Sequence, residues 1–532
     1  MNNKVKDNLF AAAVTAMIIA AVVLVNVVLY SLTAINGWHI AYAEELDLTI
    51  SGNTDDLFAD AIKEGRKVMI IFCRPEDELA SHTTGRDVLE TAKQFKEKYP
   101  EFIDLVFYNI RTQEDVKDKN GNVILDAETV RNCRFDDLGN ETVLHAGSVI
   151  FMSTETDGAG GTKTTHTVLG SEYGGVSYVD FYHLDADGYI TAYNGEETIA
   201  SRILWTLADE HKIAYFTQGH GETLDISFLN MLMSAGYYFK AVDLLRTDLY
   251  RSSQITDEEE LKNKKDWLDR DRAGVLIISN PTADFAKGGA TTRTEIEKIS
   301  DYLSGGGQLY VAVDSFVSSL PNLEGLLKEY GVEFAKSQID GGAVVKNTVK
   351  DPRNAITTDG YTFVANYADN DIGKKLAEKT DKYVSDDVIV KNVSALTLSG
   401  SAKPVLVTSS AASVVASGAA ADKSGEYCVG ALSEKTFGNK TARIFVTSGV
   451  YLAAADAVVS DSYANRNFTY ALFDVAFGAS VAPYGCRLVP YGSDMLEDLT
   501  MGRARLYTAF IMAIPVAIAV LGIIVNKRRK NR

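Results

Sequence analysis

Apolar residues dominate two runs without a charged residue at the ends of the chain, Leu9 to Leu32 and Leu506 to Val525, and are broken into short segments everywhere between. Each terminal run is long enough to cross a hydrocarbon core of about 30 Å as a helix rising about 1.5 Å per residue. The pattern therefore predicts two membrane-spanning helices, residues 9–32 and 506–525. Asn26 in the first is a polar group that favours a partner helix over lipid, and Pro515 in the second predicts a kink. A cleaved signal peptide is the rival reading of the first run, because Ala41-Tyr42-Ala43 has the small-x-small form of a cleavage site. The run is longer than the ~7 to 15 residues of a signal core, so an uncleaved anchor is expected.

Between the runs the periodicity changes repeatedly. Val68 to Cys73 (VMIIFC) reads as a buried strand, Asp87 to Lys98 as a helix and Ile103 to Ile110 as a second strand, so a βαβ unit is expected first. Gly147 to Met152, Thr164 to Leu169 and Ser177 to Leu184 are β-rich runs separated by turn-formers, including Asp157 to Gly161, and predict hairpins. The clearest alternation follows. Lys212 to Thr217, Phe239 to Leu245, Gly274 to Ser279 and Gln308 to Val313 read as strands, with helices over Leu224 to Ala235 and Thr294 to Leu303. Strands alternating with helices imply a parallel, helix-covered sheet. Further on, Pro404 to Ser409, Tyr427 to Leu432 and Arg443 to Ser448 read as buried strands, Asn467 to Phe477 as a helix and Ala411 to Ala421 as a surface loop.

The resulting layout is a tail over 1–8, the span 9–32, an N-terminal βαβ and hairpin region over 45–205, a central α/β domain over 206–335, a C-terminal α/β region over 336–500, the span 506–525 and a tail over 526–532. Lys4 and Lys6 precede the first span, whereas Asn36 to Ile62 contains no Lys or Arg; Lys527, Arg528, Arg529, Lys530 and Arg532 follow the second span, against only Arg503 and Arg505 before it. That bias places both termini in the cytoplasm and the body outside the cell membrane.

Charge narrows the partners. The net charge is −18, and without the tails 46 Lys and Arg face 70 Asp and Glu. Such a surface repels nucleic acid and anionic lipid. Hydrophobic content of 46% and aromatic content of 10% exclude a disordered stalk. The four cysteines, Cys73, Cys133, Cys428 and Cys486, lack the close pairs of a zinc site or a dense disulfide framework, leaving buried thiols with one disulfide open. Cys73 ends a strand in a thioredoxin-like pattern, but the second cysteine of a redox motif is absent. Gly158 to Thr165 (GAGGTKTT) superficially resembles a phosphate loop, yet Thr162 stands where a glycine must precede the lysine, and the run joins hairpin strands.

Gly195-Glu196-Glu197-Thr198-Ile199-Ala200-Ser201-Arg202-Ile203, followed by Ile213-Ala214-Tyr215-Phe216-Thr217-Gln218-Gly219-His220-Gly221-Glu222, resembles the Gldg family, membrane-anchored auxiliary subunits of ABC transporters named for gliding motility. The resemblance continues through Ile277 to Phe285 and Tyr302 to Leu309, and more loosely through Thr408 to Ser410 and Asn465 to Phe468, covering Asn194 to Gly478. It implies a class I glutamine amidotransferase-like α/β domain, preceded by the thioredoxin-like βαβ region. Its implied partners are an ABC-2-type permease and a cytosolic ATPase.

Candidate chemistry gathers where strands end. His220 and Glu222 follow a strand at the edge where open parallel sheets bind ligands, and a His beside a carboxylate suits acid/base work or cation binding. The competing reading has them capping the next helix and tying the turn together. Asn280, Asp284 and Asp314 also follow strands and are expected on the same rim. An amidotransferase needs a cysteine on a strand-to-helix elbow, and no cysteine lies between Cys133 and Cys428. No metal motif or phosphate loop is found, so no cofactor is expected. The reading is a non-catalytic auxiliary subunit; the alternatives are a surface receptor for a glycan or small solute, and a hydrolase using His220 and Glu222.

Overall fold

The computed structural model describes residues 47–490, apart from 137–138, 157–161, 171–177, 185–189, 209, 287–292, 339–343, 380–384, 416–423, 460–461, 480–481 and 484. Both terminal apolar runs, both tails, the turn at 157–161 and the later part of the loop expected over 411–421 lie outside the described residues. Among the described residues no helix is long and apolar enough to cross a membrane.

The first layer is built on α1 (Asn53–Lys63), β1 (Val68–Phe72), α2 (Thr83–Lys98), β2 (Ile103–Phe107) and the hairpin β3 (Val149–Thr156) and β4 (Thr162–Leu169). Strand order is β2-β1-β3-β4, with β1 and β2 parallel and the hairpin antiparallel. Ile70, Ile71 and Phe72 are all buried because both faces of β1 are covered. The continuous apolar run is the sequence signature of that double cover.

After β5 (Ile190–Tyr193), helix α3 (Gly195–Leu207) is buried along its whole length, packing on β3, β4, α1, α2 and the next helix. Then come β6 (Lys212–Thr217), α4 (Ile226–Ser234), β7 (Tyr237–Val242), β8 (Ala273–Ser279), α5 (Glu295–Ser304), β9 (Gln308–Ala312) and α6 (Pro321–Glu329). The C-terminal part contributes β10 (Thr362–Tyr367), β11 (Val388–Lys391), β12 (Lys403–Val407), β13 (Cys428–Phe437), β14 (Lys440–Thr447), α7 (Asn465–Phe477) and β15 (Val489–Pro490).

One sheet runs through both parts in the order β7-β6-β8-β9-β14-β13-β12-β10-β11. The pairs from β7 to β14 are parallel and those from β14 onward antiparallel. The chain is thus mixed α/β with parallel-containing sheets. Alternate residues of one strand serve different cores: Val275 and Ile277 of β8 pack with α4 and α7, whereas Leu276 and Ile278 pack with α5 and α6. At the usual ~25 cal/mol per Å2 of buried apolar surface, such a two-sided strand anchors the layer.

Several boundaries shift for physical reasons. Helix α4 starts at Ile226, not Leu224, because the Asp225 side chain accepts the Ser227 amide and caps it. The strand expected over Phe239 to Leu245 is displaced to Tyr237–Val242 by its pairing with β6. Part of the expected loop, Ser413–Val415, is a strand paired with Thr348–Lys350, because Val414 gains burial there opposite Val349.

Candidate functional site

Strand β6 ends at Thr217, and the chain must reverse over the sheet edge to enter α4. Gly219 (φ +115°) and Gly221 (φ +74°) take the angles this requires, and a Cβ on Gly221 would lie 2.2 Å from Thr282 Oγ1. The close approach is used. The His220 carbonyl accepts the amides of Thr282 (2.8 Å) and Ala283 (2.9 Å), joining the β6 turn to the segment after β8.

The His220 ring sits between two carboxylates. Nδ1 lies 3.0 Å from Glu222 Oε1 and Nε2 lies 3.0 Å from Glu295 Oε2, and the ring stacks on Phe285 at 3.9 Å. Glu222 Oε2 also accepts the His220 amide at 2.7 Å, and Glu295 Oε2 accepts the Ala286 amide at 2.9 Å. Burial alone would lower the imidazole pKa, but the hydrogen bonds and charges of Glu222 and Glu295 outweigh it and push it up to about 9. Burial raises the Glu222 carboxyl pKa, yet His220 and the surrounding amides hold it down at about 2. Glu295 is lowered by the same balance, its burial overcome by His220 and the Ala286 amide. The cluster is an imidazolium between two carboxylates.

This arrangement corrects one expectation. Glu222 and His220 tie the turn together, as one reading held, but they do not cap α4; Asp225 does.

The other three residues lie on the same edge in a different arrangement. Asn280, just past β8, has φ +52°; its amide donates to the Ala312 carbonyl (2.7 Å) and its Oδ1 accepts the Asp314 amide (3.2 Å). Asp314 accepts the Phe316 amide at 3.0 Å, and burial raises its carboxyl pKa. Asp284 accepts the amides of Asn322 (2.8 Å) and Leu323 (3.2 Å) and so satisfies two amides in the first turn of α6. These side chains bridge loops, and the hydrogen bonds named for them run to other loops and to α6, not to the His220 ring.

No family model matches the sequence, and no curated protein matches it. Among solved structures, the chain is similar to the "mmIFT52 N-terminal domain" at 14% identity and a TM-score of 0.33, over 49% of this chain and 96% of that one. It is also similar to "Structure of PurLQS from Thermotoga maritima" at 12% identity and a TM-score of 0.26, over 50% of this chain and 99% of that one.

Two residues of this edge escaped the sequence reading. Glu295, 1% exposed, opens α5 seventy-five positions from His220, and nothing local distinguishes it from the capping-box residues Thr294 and Glu297 beside it. Lys346 donates to the Val317 carbonyl at 3.1 Å and lies 4.7 Å from the centre of the Phe334 ring. Burial pushes its amine down to about 8 against the pull of Glu324 and Asp314. It comes from a short strand of the C-terminal part.

Chemically, a histidine that donates both N–H groups to carboxylates has no lone pair to accept a proton or hold a cation until it is deprotonated. The cluster is suited to fixing loop geometry.

Proposed function

We propose that this chain is an extracytoplasmic auxiliary subunit of an ABC-2-type transport complex, non-catalytic itself, whose central sheet edge engages a protein partner. The reading rests first on the resemblance to the Gldg family and on the two terminal apolar runs. In finer terms, the central sheet takes the role of a class I glutamine amidotransferase-like domain without its nucleophile. The layer β2-β1-β3-β4 takes that of the thioredoxin-like region.

The observation that carries the non-catalytic part is the His220 imidazolium, closed by Glu222 and Glu295. The cysteines add to it: burial pushes the thiol pKa of Cys73, Cys133 and Cys428 up to about 12, where a thiolate nucleophile is scarce. Docking is favoured by exposed apolar residues at the same edge. Ile226 opens α4 after β6, Leu245 follows β7 and Phe316 follows β9, and they are 66%, 67% and 75% exposed.

Purification of the full chain from cross-linked membranes in mild detergent tests this reading. A permease with about six spans and an ATPase with a phosphate loop are expected to accompany it, and Leu245→Ser with Phe316→Ser should reduce their recovery without lowering the melting temperature. Recovery of the chain alone overturns the proposal.

A further inference from the structure

The segment between β2 and β3 covers one face of the first layer with little buried surface of its own. From residue 111 to 143 the only buried side chains among the described residues are those of Leu125, Val130 and Cys133. Regular structure there is equally slight: Val116–Lys117 pairs with Val123–Leu125, and the helix Ala127–Asn132 ends on Cys133 as its C-cap. The three side chains pack on the sheet face that carries Ile71, Val106 and Ile150, in one core of nine described buried residues. Cys73 belongs to that core too. It directly follows β1 and keeps the ladder going, its amide donating to the Ser148 carbonyl at 3.0 Å, so it shares the face of Ile71 two positions earlier.

Cys73 and Cys133 are therefore brought into one small core by the sheet register and by the short helix laid over it, and they are near enough to interact electrostatically. The other two cysteines lie elsewhere. Cys428 opens β13 and packs on the core of the larger sheet, and the Cys486 carbonyl faces Arg466 of α7.

We propose that Cys73 and Cys133 are a disulfide pair, joined when the chain meets a disulfide oxidant, and that the bond staples the segment 111–143 to the first layer. Burying three side chains offsets little of the conformational entropy lost in fixing so long a segment, so the cover opens locally and uncovers both thiols. In the closed state burial pushes them up to about 12, so exchange starts from the opened segment, with Cys133, between the exposed residues Asn132 and Arg134, attacking first. Its thiolate attacks one sulfur of a small disulfide such as oxidised glutathione and expels one glutathione thiol. The Cys73 thiolate then attacks the Cys133 sulfur of the mixed disulfide and expels the second. Two protein thiols are oxidised, one small disulfide is reduced to two thiols, and those thiols take up the protons that Cys73 and Cys133 lose. The pairing follows from the shared core; its presence in cells rests on the extracytoplasmic placement, because such bonds persist outside the cytoplasm.

Peptide mapping tests it. The full chain, purified in detergent and incubated with oxidised glutathione, is denatured in an alkylating agent and digested. A peptide pair linked through Cys73 and Cys133 is expected, with hydrogen exchange at the Val130 and Cys133 amides slowed at least tenfold by oxidation. Alkylation of both thiols, or a bond from either to Cys428 or Cys486, overturns the pairing, and unchanged exchange overturns the staple. The same mapping on membranes alkylated before lysis separates this inference from the transport reading. A Cys73–Cys133 bond already present there supports both, whereas thiols that pair only after glutathione is added support the pairing and count against an extracytoplasmic body.

Discussion

At the scale of single residues, the His220 cluster predicts a pH signature. Its imidazole pKa is raised from 6.5 to about 9, so its contribution to stability is fully present below 6.5 and is lost as pH rises through about 9. Glu222 is lowered from 4.5 to about 2, so its contribution is present above 4.5 and is lost as pH falls through about 2. Together they favour the window between 4.5 and 6.5. His220→Gln should therefore lose most stability relative to wild type near pH 6, on the order of 2–3 kcal/mol, with the gap narrowing towards pH 9. Denaturant melts across that range check this, and a gap independent of pH would refute the charge assignment. The pair was visible in the sequence as a histidine two residues from a carboxylate, but its state was not. That was set by Glu295, which only the packing of α5 brings to Nε2.

At the scale of elements, helix α4 shows how one side chain fixes a boundary. Asp225 caps the helix through Ser227 and also accepts the Ala455 amide at 2.9 Å, tying α4 to a segment far along the chain. Asp225→Ala should cost about 1–2 kcal/mol, measurable by chemical denaturation, because it leaves two amides unsatisfied. A loss below a few tenths of a kcal/mol would mean that water replaces the carboxylate. The inner strands of the parallel sheet, such as β8, were legible because they are apolar on both faces, whereas the edge strand β7 carries Lys240 and a 41% exposed Phe239 and its bounds shifted. The antiparallel extension was harder to read, since its pieces are short and one of them, Ser413–Val415, sits in a sequence of small residues that resembles a loop.

At the scale of the molecule, the described ends of the chain meet on α3. Glu196 Oε1 accepts the Ser51 amide (3.0 Å) and hydroxyl, its Oε2 accepts the Arg487 amide (3.2 Å), and Asn53 Nδ2 donates to the Gly485 carbonyl (2.9 Å). Val489–Pro490 then pairs with β5. Glu196→Ala should release both ends together: hydrogen exchange at the Ser51 and Arg487 amides is expected to accelerate in parallel, and acceleration at one alone would show that the ends are held separately. The cation bias of the tails makes a further prediction. Tags at either terminus should resist protease added to intact cells stripped of their wall, and digestion of the C-terminal tag would overturn the topology.

The sequence by itself determined the apolar runs at the ends, the α/β alternation and the absence of a cysteine in the central segment, because each is a property of local order along the chain. It also placed His220, Glu222, Asn280, Asp284 and Asp314 at strand ends. The tertiary structure decided what those residues do. It added Glu295 and Lys346, assigned Asp284 to α6 and Asp225 to α4, and set Glu197 against Arg466, more than 260 positions further along the chain. Charge balance and hydrogen-bond satisfaction are sums over spatial neighbours, and a pattern of periodicity holds no information about neighbours that the fold alone brings together.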